Sequence, residues 1–378
     1  MFLYHQGKHT RQAHVAIPEG TFEEEFGRQG FFGPVAHLYR AHPPTNWSHF
    51  EGPLRPHAFD FNTVLPADAA DRNGTRTRLL YNQDVALHVS RRSDAMPFHF
   101  RNADADEVHF VHEGAGVYET DFGTLPYERG DYILLPRCTT WRIVPSTPDN
   151  FILVIEAFSQ VRTLSMRDKG VIGMHALFDP SVITIPILPD AYDEQAGVEH
   201  EIRIQTHGEL SSVFYPFNPL DALGWKGDLF AWKLNVRDIR PVMSHRVHLP
   251  PPAHTTFLMH NAVICTFLPR PLEEDEDALK VPFFHRNIDY DEVLFYHAGD
   301  FFSRDNIKPG MVTLHPMGIH HGPHPKALAR QNTITRTNEI AVMLDTVHSL
   351  HIAPEAEAAE WKEYWQSWGA PKDAARKE

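Results

Sequence analysis

Two stretches of this chain are nearly the same sentence written twice. Pro97–Gly114 (PFHFRNADADEVHFVHEG) lies over Pro282–Gly299 (PFFHRNIDYDEVLFYHAG) without a gap, and eleven of the eighteen positions are identical. A second matched pair follows each block, GDYILLPRCTTWR from Gly130 and GMVTLHPMGIHHG from Gly310. A repeat of this length forces the chain to build one small unit twice. The unit is made of strands: FILVIEAF from Phe151, VICTFL from Val263 and EIAVMLDT from Glu339 are short apolar runs bounded by turn residues, the mark of buried strands in a sandwich or barrel. The expected fold class is therefore all-β, with two barrels.

Composition narrows the rest. With 35 Lys+Arg against 49 Asp+Glu, the 378-residue chain carries a formal charge of -14, which argues against a nucleic-acid partner. Two cysteines, Cys138 and Cys265, are too few for a disulfide scaffold and do not form a metal clip. No run approaches the roughly 20 apolar residues of a membrane helix, and no signal peptide is evident at the start, so no membrane partner and a cytoplasmic location are expected. The expected organisation is an extended arm over 1–60, a first barrel over 61–160, a connecting region over 161–224, a second barrel over 225–350 and a C-terminal helix over 351–378. That helix is placed at Pro354–Trp368, where Trp361, Tyr364, Trp365 and Trp368 fall on one face. With the arm, it is expected to make subunit contacts in a homo-oligomer.

The differences between the copies carry the chemistry. Where the second copy has His285, His315 and His321, the first has Phe100, Leu135 and Trp141, while Glu292 is matched by Glu107. Packing alone does not ask for that exchange, because a buried imidazole is costly unless its nitrogens find partners. A metal ion supplies a partner. Two imidazoles and a carboxylate on one face leave positions open for substrate and oxygen, as in non-haem Fe(II) oxygenases, although Zn(II) accepts the same set.

The stretch HRNIDYDEVLFYHAG, from His285, fits the first characteristic pattern of the cupin superfamily, with Asn287 in place of a second histidine. GMVTLHPMGIHH, from Gly310, fits the second pattern through Gly310, Pro316, Gly318 and His321. Together with FGRQGFFGPVAHLYR, HPPTNW, WKGDLFAWKLNVRD and LHPMGIHHGPHP, which extend over most of the chain, they make it resemble the homogentisate 1,2-dioxygenase family. The resemblance implies a bicupin, two jelly-roll-type β-barrels with an extended N-terminal arm and a short C-terminal helix, in which the first barrel is metal-free and the second holds Fe(II) on His285, Glu292 and His321. It implies His315 as a further active-site histidine and His248 as acid–base residue, with His254 as the alternative. The first-histidine-to-glutamate spacing is one residue longer than the family's, so Asp291 competes with Glu292; the repeat, which keeps Glu107, favours Glu292. A tyrosine that the family uses to hold the substrate carboxylate falls at Phe301, whose ring cannot hydrogen-bond an anion; Tyr296, Arg286 or Arg304 would serve instead. The implied reaction opens the ring of homogentisate with both atoms of O2 to give maleylacetoacetate, in tyrosine and phenylalanine catabolism. Dioxygenation of another small aromatic acid such as gentisate, or a different metal-dependent bicupin activity, is the alternative.

Overall fold

In the computed structural model, residues 4–165, 168, 175–193 and 195–368 are described. The strands form four sheets, two per half of the molecule. In the first half a seven-stranded sheet is built around Asp106–Glu113 and Phe151–Ala157, and it faces a six-stranded sheet built around His99–Asn102 and Thr140–Pro145. In the second half a six-stranded sheet around Asp291–Asp300 and Asn338–Thr346 closes against a three-stranded sheet containing Phe284–Asn287. The two-barrel, all-β architecture matches the expectation.

The large sheets of the two halves are buried on both faces, and this is why their strands read as continuous apolar runs rather than alternating ones. Period-two alternation still sorts the side chains. Val108, Phe110, Val293 and Phe295 point to the shared core between the barrels, which also holds Tyr132, Phe151, Phe257 and Leu344. Val111 and Tyr118 lie in a separate cluster inside the first barrel, and Leu294 and Tyr296 in one inside the second. The repeat-equivalent pairs meet at the shared core: the rings of Phe110 and Phe295 lie 6.1 Å apart edge to face, and Nδ1 of His112 is 2.9 Å from Nδ1 of His297. Those contacts mark an internal two-fold relation between the barrels.

The edges of the barrels are exchanged between halves. His57–Asp60, from the first 60 residues, pairs antiparallel with Met311–His315 of the second barrel. Reciprocally, Trp232–Asn235 pairs with Asp131–Leu135 of the first. The same exchange holds on the smaller sheets. Phe22–Gly27 runs parallel to Phe284–Asn287 and carries Val35–Arg40 on its other side, while His200–Thr206 runs parallel to His99–Asn102 and carries Glu209–Tyr215. The repeat therefore covers a hairpin, a single strand and a barrel in each half, far more than the sequence identities reveal. The first 60 residues are thus not simply an arm lying over other surfaces, because their strands complete the sheets of the second barrel.

Two backbone positions explain motif glycines. A Cβ at Gly299, whose φ is +92°, would lie 1.5 Å from the carbonyl oxygen of Asn338, and one at Gly114, φ +101°, would lie 2.1 Å from Asn150 Oδ1. Only glycine fits there. The expected helix over Pro354–Trp368 is shorter than its aromatic stripe suggests. Pro354–Ala358 is α-helical, and a separate 3₁₀ turn covers Tyr364–Trp368. Tyr364 and Trp368 both pack on Ala58. Residues 369–378 of the expected helical region lie outside the described residues. Among the described residues, no helix is long and apolar enough to cross a membrane.

Candidate metal centre

Three strands and a loop bring the second-copy residues together. His285 comes from Phe284–Asn287 and Glu292 from Asp291–Asp300, while His321 follows Met311–His315 and bridges back to His285 through two backbone hydrogen bonds of 2.9 Å. Their ligand atoms all lie within 4.8 Å of one another, and all three side chains are buried. Nε2 of His285 is 3.6 Å, and Nε2 of His321 3.4 Å, from the same oxygen, Glu292 Oε2. Those two Nε2 atoms are buried with no hydrogen-bond partner. His285 is oriented through its other nitrogen, Nδ1, 3.0 Å from the carbonyl of Phe283. That carbonyl fixes the tautomer that frees Nε2. Unpartnered buried nitrogens aimed at one carboxylate oxygen are what a divalent ion would satisfy, so the residues fit a metal.

Electrostatics agree. Burial disfavours the Glu292 charge, but His321, His285 and His315 outweigh it and hold the carboxyl well below the usual carboxylate range. Burial, helped by the neighbouring His285, brings His321 down to about 3, so it stands neutral with a lone pair to offer. His315, directly across the strand pair from Glu292, sets Nδ1 2.8 Å from Glu292 Oε1 and stacks on His321 at 4.7 Å. Its Nε2 reaches the Tyr364 hydroxyl at 3.5 Å.

Asp291 faces away. Its two oxygens accept backbone N–H groups of Met317 and Leu350, each at 2.8 Å. Asp106, its repeat partner, clips Arg137 and Val161 in the same way. The aspartate is a structural clip in both copies, and Glu292 is the carboxylate that faces the histidines. In the first barrel Glu107 is held differently: Arg76 donates to Glu107 and Glu156 at once. A guanidinium there does the bridging that a cation could do.

The cavity beside the second-barrel cluster, roughly 70 Å³, is lined by His248, His254, Arg270, Tyr296 and Arg304 besides His285 and Glu292. Nδ1 of His248 lies 3.0 Å from Glu273 Oε1, and burial holds this imidazole below its ordinary value against the pull of that carboxylate. His254 has burial and Arg270 acting together and falls to about 3. The hydroxyl of Tyr296 is already engaged, with Thr313 at 3.0 Å and Arg304 Nε at 3.1 Å. Two expected substrate contacts are not at the cavity. Arg286 alternates with His285 along its strand and so points to the opposite face, where it meets Glu24 and the ring of Phe26. Phe301 is barrel wall, packed on Tyr296 at 4.8 Å. Arg270 was not expected from sequence. It is buried, lines the cavity and has an unpartnered Nη1, and only its place after an apolar strand could have hinted at it.

A family model described as the N-terminal part of homogentisate 1,2-dioxygenase matches residues 43–236, and its C-terminal counterpart matches residues 252–375. The chain belongs to the homogentisate 1,2-dioxygenase family. Membership makes it a non-haem, ring-cleaving dioxygenase. A Saccharolobus solfataricus protein named "Putative dioxygenase SSO1533" is 30% identical over 97% of this chain and 99% of its own length. The homogentisate 1,2-dioxygenase of Nitrobacter hamburgensis is 26% identical, over 66% of this chain but 57% of its own length. A cupin 2 conserved barrel domain protein from Leptotrichia buccalis, at 10% identity over 77% of this chain and 96% of that one, has a TM-score of 0.36, too distant to argue from. Within the homogentisate 1,2-dioxygenase family, the histidine–carboxylate cluster of the second barrel is the natural candidate for the metal centre.

Proposed function

We propose that this enzyme opens the ring of homogentisate, using Fe(II) held by His285, Glu292 and His321. The observation that carries the reading is the pair of buried, unpartnered Nε2 atoms converging on Glu292. When bound, the iron would bring O2 and the substrate's hydroxyl together and provide a path for electrons between them. The chain's own residues do the rest. His315 fixes the rotamer of Glu292 through Oε1, leaving Oε2 for the ion. His248 takes the hydroxyl proton of the substrate: it is neutral before the reaction, and Glu273 beside it stabilises the imidazolium that forms. His254, lacking an acidic partner and held at about 3, is the poorer base. The substrate carboxylate seats against the free Nη1 of Arg270, with Arg304 adding positive charge on the same wall. Phe31, from the first hairpin, lies edge-on to His285 at 5.1 Å and shields that side from water.

The loss of a carboxylate-holding hydroxyl at Phe301 favours a second reading, in which another hydroquinone acid such as gentisate is the substrate. Oxygen uptake after anaerobic Fe(II) loading, measured with homogentisate and gentisate in parallel, separates the two. One O2 consumed per homogentisate, with a ring-opened diacid as product, is the expected result. Turnover of gentisate alone would overturn the homogentisate assignment while leaving the centre in place.

A further inference from the structure

A second group of metal-ligand side chains sits one strand away from the first. His14, Glu23 and His37 each offer a ligand atom within 4.8 Å of the others. Glu25 adds a further oxygen, Oε2, 3.3 Å from Nε2 of His14 and 3.2 Å from Nε2 of His37. Glu23 accepts from the backbone N–H of His14 at 3.0 Å and holds its Nδ1 at 2.5 Å. That leaves Nε2 for another partner, the carboxylate–imidazole arrangement that orients metal-binding histidines. His14 reaches this position on a strained backbone, with φ +64° at a non-glycine residue.

We propose that His14, His37 and Glu25, with Glu23 orienting His14, form a second divalent-metal site in the N-terminal hairpin region. The charge balance accommodates an ion there. Glu23 and Glu25 are 4% and 7% exposed, and either protons on His14 and His37 or one divalent ion would offset their two negative charges. A divalent ion held by two neutral imidazoles brings the cluster to zero. The mixed nitrogen–oxygen set, with no thiolate, suits Zn(II) or Fe(II). A cavity of roughly 280 Å³ opens beside the cluster, between Phe31 and His248, so water can complete the coordination.

The register ties this site to the first. Glu25 pairs with His37 on one side and with His285 on the other, and His285 bridges to His321. The row His37–Glu25–His285–His321 thus crosses the small sheet with both clusters on it. His14 also stacks on Phe283 at 4.0 Å, and the Phe283 carbonyl holds His285. An ion on the hairpin would therefore lock the strand that presents the first site's ligand.

The test is Zn(II) counting on full-length protein after metal stripping, reloading and desalting. Wild type should bind two Zn(II) per chain, and the folded variant Glu25→Gln/His37→Asn one. His285→Ala/His321→Ala should also bind one, and its melting temperature should still rise with Zn(II). Should the double variant misfold, His37→Asn alone, at a half-buried position, should still weaken the second equivalent by tenfold or more. If the centre at Glu292 held no ion, wild type would bind one Zn(II) and the Glu25→Gln/His37→Asn variant none, which separates the two sites. Equal Zn(II) stoichiometry in wild type and in folded Glu25→Gln/His37→Asn, with no change in affinity, would overturn the second site.

Discussion

The partner offered to each repeat-equivalent carboxylate differs between the barrels. Glu292 faces the unpartnered Nε2 atoms of His285 and His321, whereas Glu107 faces the guanidinium of Arg76, which also holds Glu156. Burial opposes all these charges, yet Arg76 keeps both Glu107 and Glu156 ionised. Removing one partner of such a buried set leaves charge without compensation, at a cost of about 3–5 kcal/mol. Arg76→Met should therefore destabilise the protein by that order in denaturant unfolding while leaving the metal content of the second barrel unchanged. A loss under about 1 kcal/mol would mean that the carboxylates find another partner or a proton. The contrast between the copies at Phe100, Leu135 and Trp141 was legible in the sequence. Arg76 was not, because it lies outside the aligned blocks, and nothing in its neighbours marks it as the group that bridges Glu107 and Glu156.

Elements exchange edges across the molecule, and that exchange is what the sequence concealed. Identities are strong where both faces of a strand are buried, as in Asp106–Glu113 and Asp291–Asp300. They fade in the hairpins Phe22–Arg40 and His200–Tyr215, whose second strands, Val35–Arg40 and Glu209–Tyr215, are exposed or half-buried. Composition there (glycine, proline and aromatics) reads as an extended arm, but the backbone hydrogen bonds go into the second barrel. Similarly, the aromatic spacing of Trp361, Tyr364, Trp365 and Trp368 promised one helix, whereas the chain forms a short helix over Pro354–Ala358 and a separate turn over Tyr364–Trp368 that packs on Ala58. Phe22–Gly27 supplies the parallel neighbour of the strand bearing His285. Deletion of residues 1–40 removes none of the three ligands of the first site but unpairs that strand. It should lower both iron occupancy and melting temperature, as read by metal analysis and thermal unfolding of the truncated chain. Full iron occupancy with unchanged melting would show that the hairpin is dispensable to the site.

For the molecule as a whole, the two barrels share one core, so they should unfold together. Their contact includes His112 and His297, both 3% exposed and 2.9 Å apart. Burial, with further contributions from nearby cations including Arg129, brings each down to about 3. The folded state holds them neutral while the unfolded chain protonates near pH 6.5. Their contribution to stability is therefore present above that pH and is lost as pH falls towards 3, at up to about 1.4 kcal/mol per pH unit per imidazole. Stability measured between pH 7 and pH 4.5 should fall less steeply in His112→Phe/His297→Phe than in wild type. An identical slope would remove this pair from the account. The family and the three residues of the candidate cluster were both readable from two short motifs, whereas the arginine proposed to seat the substrate was not. Arg270 owes its place to three-dimensional packing around the cavity and belongs to neither motif.

Iron bound per chain after anaerobic Fe(II) loading and desalting bears most directly on the proposed centre. His285→Ala, Glu292→Ala and His321→Ala should each lose one equivalent relative to wild type, while His254→Ala, on the same cavity wall, keeps it. Wild-type iron content in all three ligand variants would contradict the assignment of the centre.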